Sequence, residues 1–366
     1  MTAPRLEIDL DKIRHNARSL VERLGERGIS VTGVTKATLG SPDFAEALLA
    51  AGVQTLGDSR VENIEAMRRA RVPAPMTLIR SPMLSQVERV VKSADVSFNT
   101  ELAVIRALST TACDAERTHG IVLMVELGDL REGIMPDDLE STVREVLRLP
   151  NVTLKGIGTN LACRCGVSPD ARNMAELSEL ADSIEATFDL KLDIVSGGNS
   201  ANLNWAFSGS DIGRINDLRL GEAILLGCEP LHRQPIDGLF TDAITLVAEV
   251  IESKMKPSLP WGETGQNAFG EEPSNTNRGN ISQSILAIGR QDVDPSGLCP
   301  PSEFQILGAS SDHLIVDSGS AIVPIGTELA FQLNYSSLLS TMTSPFVTKV
   351  VKSLTANPSA AGEVND

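Results

Sequence analysis

From residue 31 to residue 220, short apolar, β-branched runs alternate with amphipathic stretches. The runs lie at 31–35, 53–57, 76–79, 96–98, 121–127, 153–158, 192–196 and 215–220. Between most of them the apolar positions recur at helical spacing, at 44–51, 61–70, 84–92, 101–108, 139–147 and 171–188. Strand, helix, strand at this spacing predicts a parallel sheet with helical crossovers. Eight such repeats in about 220 residues predict a closed (β/α)8 TIM-type barrel, with a doubly wound open sheet as the structural competitor. A helical pattern at 12–25 leads into the first barrel strand.

The rhythm breaks after Gly227. Later runs at 244–251, 285–288, 304–307, 314–317 and 329–333 are strand-like, with Gly, Pro, Asn and Ser between them and no long helical pattern. This predicts an α/β barrel over 1–232 and a mostly β domain over 233–353. The small, polar stretch 354–366 reads as a disordered tail.

Bulk properties narrow the function. A chain of 366 residues suits two domains. The net charge of −16 argues against a nucleic-acid binder and is compatible with cationic substrates. Five cysteines, an odd number in a long chain, suggest free thiols in a reducing cytoplasm rather than a disulfide framework. Four scattered histidines show no metal-ligand spacing. The opening residues lack the apolar core of a signal peptide, and no apolar run approaches the roughly 20 residues of a membrane helix. The expectation is a soluble cytoplasmic protein acting on a small molecule, with no membrane, nucleic-acid or metal partner.

Chemistry should collect at the C-terminal ends of the barrel strands. Strand one ends in Val34-Thr35-Lys36-Ala37. A lysine there is costly to desolvate, but a desolvated amine attacks an aldehyde readily and forms a Schiff base. Strand seven ends in Ser196-Gly197-Gly198-Asn199-Ser200, where two glycines let an anion approach the backbone and Ser200 can cap the following helix. Gly221, after strand eight, adds amides, and the loops after strands seven and eight often bind phosphate in such barrels. An aldehyde-reactive lysine and a phosphate cradle together imply pyridoxal 5'-phosphate. Arg219, on strand eight, is the candidate for its pyridine nitrogen. A permanent cation would keep that nitrogen unprotonated, which favours simple proton removal and return at Cα over decarboxylation.

At this point the chain resembles the alanine/ornithine racemase family, and its ornithine racemase branch in particular. The resemblance rests on Val34–Ala37, Leu127-Gly128-Asp129-Leu130-Arg131-Glu132-Gly133-Ile134, Gly158–Cys163, Leu218–Ala223, Ala287–Asp292 and Leu333-Asn334-Tyr335. It implies a fold type III pyridoxal-phosphate barrel with a C-terminal β domain, acting as a homodimer whose sites are completed by the partner. It implies Lys36 as Schiff-base lysine and catalytic base, Arg219 at the pyridine nitrogen, and Ser200, Gly221 and Tyr335 at the phosphate. Arg131 falls near the cofactor's 3'-oxygen or the substrate carboxylate, and Asp312 matches a substrate-loop aspartate reaching across the dimer. Asn160, Asn199 and Glu222, on the strand ends, complete the cofactor-binding set.

The departures point away from alanine. The family's opposite base is a tyrosine of the partner's second domain, but Tyr335 is the only tyrosine and matches the phosphate position. Gly40 stands four residues after Lys36 where a tyrosine is usual, and Asn160 replaces the histidine that buttresses the arginine. Cys163, Asp312, Asp292 and His313 are therefore candidates for the second acid/base, and Glu62 and Asp129 are candidates to pair with a cationic substrate tail. The expectation is a racemase of ornithine or a related basic amino acid. The alternatives are a non-catalytic pyridoxal-phosphate homeostasis protein, which would resemble only the barrel, and a fold type III decarboxylase.

Overall fold

The computed structural model describes residues 2–272, 277–319 and 322–353. The chain divides into two compact units, one of Lys12–Thr241 and one of the residues up to Asp11 with those from Asp242 on. A strand β1 (Arg5–Asp9) and a helix α1 (Leu10–Gly25) precede the barrel.

The barrel unit closes eight parallel strands in sequence order. They are β2 (Ser30–Val34), β3 (Thr55–Asp58), β4 (Met76–Leu78), β5 (Val96–Asn99), β6 (His119–Met124), β7 (Val152–Gly158), β8 (Ile194–Asn199) and β9 (Asp217–Leu220). Each is followed by a helix: α2 (Pro42–Ala50), α3 (Val61–Arg69), α4 (Val87–Ser93), α5 (Leu102–Asp114), α6 (Pro136–Val146), α7 (Ala171–Phe188), α8 (Leu203–Phe207) and α9 (Glu222–Leu226). Every residue of β6 is buried, as expected of a parallel strand covered on both faces. The helix starts obey local rules. Pro42 and Pro136 open α2 and α6, where a missing N–H costs nothing. Asp170 and Asn173 form a capping box on α7, with bonds of 2.9 Å. Inside the barrel, Phe98, Val122 and Met124 pack together.

In the second unit the antiparallel strands β10 (Ile244–Pro257), β11 (Asn280–Leu286), β12 (Leu298–Cys299), β13 (Gln305–Ala309), β14 (Leu314–Asp317) and β15 (Glu328–Leu333) run in the order β12-β15-β10-β11-β14-β13. A helix α10 (Tyr335–Thr343) and a strand β16 (Thr348–Lys352) follow. No helix among the described residues is long and apolar enough to cross a membrane.

Three details differ from the sequence reading. The opening residues pair with the second unit, because β1 lies antiparallel to β10 and parallel to β16. Its alternation, with Leu6 and Ile8 buried, is that of a half-buried strand. Residues 233–241 stay with the barrel, where Ile236 N donates to Gly227 O (2.8 Å) and the Asn16 side chain bonds both the N and O of Phe240 (2.8 Å each). The β unit also carries a helix, since Asn334 caps α10 by accepting from Ser337 N at 2.9 Å. The expected tail at 354–366 lies outside the described residues.

Candidate active site

Lys36 opens a single 3₁₀ turn directly after β2 and is half-buried. The strand before it pairs with β3 on one side and β9 on the other, so Asp58, the last residue of β3, and Glu222, just past β9, flank it. Asp58, fully buried, accepts from Thr35 Oγ1 (2.7 Å), Arg60 N (2.9 Å) and Asn63 Nδ2 (3.1 Å). Burial pushes the Asp58 carboxyl up, and those hydrogen bonds and the Lys36 ammonium pull it back. Burial likewise raises Glu222, partly offset by Arg233 and Lys36. Gly40 has φ +66°, and a Cβ there would lie 2.8 Å from the Asn63 carbonyl oxygen. A tyrosine cannot occupy that position in this backbone.

Arg219 projects from β9 and is almost fully buried. Its Nη1 donates to Ser196 Oγ (2.5 Å), and its Nη2 to Thr159 O (2.8 Å) and Asn160 Oδ1 (3.1 Å). The guanidinium also lies 5.1 Å from the centre of the Phe98 ring, within cation–π range. Ser196 in turn donates to Asp217, whose other oxygen accepts from Thr32 Oγ1 at 2.7 Å. Burial lowers the Arg219 pKa to about 10 despite the nearby Asp217, and it raises Asp217. The Nε–H of Arg219 has no hydrogen-bond partner among the described residues.

Asn160 thus does buttress the arginine. Its Oδ1 also accepts from Asn199 Nδ2 (3.1 Å), and its Nδ2 donates to Cys163 Sγ (3.0 Å). Cys163 is exposed rather than buried packing. Its loop is pinned by Asp129, a buried carboxylate that accepts from the backbone N of Cys163 (3.2 Å), Arg164 (2.9 Å) and Cys165 (3.0 Å). Asp129 is therefore spent on holding the loops after β6 and β7 together. Glu62 is spent as well, on Arg89 at 2.7 Å at the surface. Neither is free for a substrate cation. Arg131 is ion-paired with its neighbour Glu132.

The loops after β8 and β9 do meet, but not as expected. Asn199, not Ser200, caps the turn, accepting from Ala201 N (2.8 Å). Ser200 Oγ instead accepts from Ala223 N (3.2 Å) and joins the two loops. Gly198 has φ +146°, and a Cβ there would fall 2.2 Å from Asn202 Oδ1, so this approach requires glycine. Gly221 lies so close to β2 that a Cβ would meet Val34 Cβ at 3.1 Å.

Tyr335 and Asp312 belong to the other unit. Tyr335 is half-buried at the start of α10. Asp312 sits on an exposed turn and accepts from Ser310 Oγ (3.1 Å) and Ser311 Oγ (3.1 Å), with His313 Nδ1 at 3.0 Å. The serine hydroxyls hold its carboxyl below the usual range. Asp292 accepts from Ser344 Oγ at 2.6 Å. The sequence reading overlooked Asp217 and Thr32. The available signal was an Asp-x-Arg pair, two residues apart on one face of an otherwise apolar strand.

A closed parallel barrel joined in one chain to an antiparallel β unit is the architecture of solved alanine racemases. The enzyme from Streptomyces coelicolor A3(2) superposes with a TM-score of 0.75 at 19% identity, over 95% of this chain and 97% of that one. Alanine racemase from Bartonella henselae, with covalently bound pyridoxal phosphate, gives 0.70 at 18% identity, over 96% and 100%. Residues 8–229 match the model of the alanine racemase N-terminal domain, and the chain belongs to the alanine racemase family. Two relatives are each 39% identical. One is the ornithine racemase of Acetoanaerobium sticklandii, over 94% of this chain and 99% of that one. The other is the lysine racemase of Thermotoga maritima, over 96% and 99%.

Proposed function

We propose that this chain is a pyridoxal-phosphate-dependent racemase that interconverts the L and D forms of a basic amino acid, ornithine or lysine. The observation that carries this reading is the pairing of Lys36 and Arg219 at one barrel mouth. The first is an amine between two carboxylates, and the second a desolvated guanidinium with an unspent Nε–H. These residues fit the cofactor's aldehyde and ring nitrogen, and the glycine-dependent junction of the loops after β8 and β9 fits its phosphate. When bound, the cofactor supplies the electron withdrawal that acidifies the Cα–H bond of the attached amino acid.

The protein's own residues do the rest. Lys36 Nζ serves one face of Cα, taking or giving the proton there, and a second group on the opposite face does the reverse, so that the configuration inverts. Asp58 and Glu222 balance the charge of Lys36. Arg219 would hold the ring nitrogen and, as a cation, would keep it unprotonated, which would confine reaction at Cα to proton exchange. Ser200 and Gly221 would hold the phosphate, Asn160 and Asn199 would brace the arginine side, and Arg131 would take the 3'-oxygen or the substrate carboxylate. Cys163 is the leading second proton carrier, because its sulfur sits at the mouth beside Asn160. Asp312, kept anionic by its hydroxyl partners, suits the substrate's side-chain ammonium better than proton transfer.

The site is completed by a second copy of the chain. Leu39, Met83, Leu84, Leu130 and Met135 are exposed on loops that follow β2, β4 and β6, an apolar rim suited to a partner. Five free cysteines fit a reducing, cytoplasmic setting. The test is to incubate loaded protein with L-ornithine, L-lysine, L-arginine and L-alanine in heavy water, followed by chiral separation. Inversion and Cα deuteration of the basic amino acids are expected. Binding without exchange would leave a cofactor carrier, and release of carbon dioxide would mark a decarboxylase.

A further inference from the structure

We propose that Asp217, acting through Ser196, is the positioning residue that fixes Arg219 at the barrel mouth and reserves its Nε–H for the cofactor's ring nitrogen. This rests on the cofactor reading above. A serine hydroxyl has one hydrogen. That hydrogen goes to Asp217, so only the oxygen's lone pairs are left to face Arg219 Nη1, 2.5 Å away. Thr32, on β2, holds the other carboxylate oxygen at 2.7 Å and stops the carboxylate from turning. Thr159 O and Asn160 Oδ1, at the end of β7, take Nη2. Acceptors fixed on neighbouring strands thus occupy both terminal nitrogens, and the guanidinium plane has one rotational setting. The interposed serine matters. A carboxylate in direct bidentate contact would compete for the fork that leaves Nε free. Asp217 also supplies the counter-charge that a buried guanidinium needs. No other charged group presses on Asp217, whereas Arg219 also feels Cys163, Arg131 and Glu132.

The experiment compares the affinity of the full-length protein for pyridoxal phosphate with that for its carbocyclic analogue, in which CH replaces the ring nitrogen. Wild type, Asp217→Asn and Ser196→Ala are loaded with each, and dissociation constants are read by absorbance without any amino acid present. One charge-assisted hydrogen bond predicts a wild-type preference for the ring nitrogen of about tenfold or more. In both variants the preference should fall below about twofold, with overall cofactor loading retained. A purely structural role for Asp217 would weaken both ligands equally and leave the ratio intact, and that result overturns the proposal. Should Asp217→Asn fail to fold, Ser196→Ala cuts the same link at smaller cost and carries the comparison. A wild type that binds both ligands equally would instead refute the placement of Arg219 at the ring nitrogen, and the proposal with it.

Discussion

Charge is handled in opposite ways by the barrel interior and the β unit. Inside the barrel, burial dominates: Asp58, Asp217 and Glu222 are pushed up, Arg219 is lowered to about 10 and His119 to about 4. In the β unit, Glu7, Glu252, Glu271, Asp294, Asp312 and Glu328 are all pulled down, each chiefly by a hydrogen bond from a neighbouring side chain near the surface. Lys349, lowered by burial, runs against that trend. Exposed ion pairs cost little and contribute little. Buried charges cost several kcal/mol each in order-of-magnitude terms, and a fold retains them where chemistry requires them. Of these groups Asp58, Glu222 and Arg219 stand at the C-terminal strand ends with Lys36, whereas His119 opens β6 at the opposite end.

The strongest way to break this comparison is Lys36→Ala. It should abolish racemisation, by about four orders of magnitude or more, together with the absorbance of covalently held cofactor. A variant that keeps both places the chemistry elsewhere. A smaller effect tests burial itself. His119 is buried with Ser97 Oγ at 2.8 Å and titrates near 4 in the folded state, against 6.5 for the free side chain. The unfolded chain therefore takes up a proton first as pH falls. The stabilisation is complete above about 6.5 and is lost on the way down to about 4, by about 3 kcal/mol. His119→Asn should flatten that acid limb in denaturant unfolding followed between pH 7 and pH 4; an unchanged slope would contradict the assignment. The smallest effect belongs to the β unit. Glu252, lowered to about 2 by hydrogen bonds from Lys256 and Lys254, is half-buried at the surface, where solvent screens the pairs. Glu252→Gln should leave the melting temperature within about 1 °C of wild type, and a large drop would erase the distinction between the two regions.

The barrel was legible because parallel strands buried on both faces leave continuous apolar runs, and all eight coincide with β2–β9. The second unit was less so. β1 pairs with strands more than 230 residues away, and no local pattern announces so distant a partner. The helix α10 is short and has two serines in its first turn that look like loop, although Asn334 carried a capping signal. Among the site residues, Lys36 and Arg219 stood out as charges at or within apolar strands. The cap assigned to Ser200 and the substrate roles offered to Glu62 and Asp129 did not hold, since which carboxylate is already spent depends on loops brought together from different strands.

The barrel, the β unit and the placing of Lys36 and Arg219 at apolar strands could be read locally, because strand periodicity and residue type are properties of short segments. Only the tertiary structure decided that Ser196 stands between Arg219 and Asp217, that Asp129 is consumed by three backbone amides, and that Gly40 has no room for a side chain. Those outcomes are set by the register of neighbouring strands, and register is fixed by packing over the whole barrel rather than by any single segment.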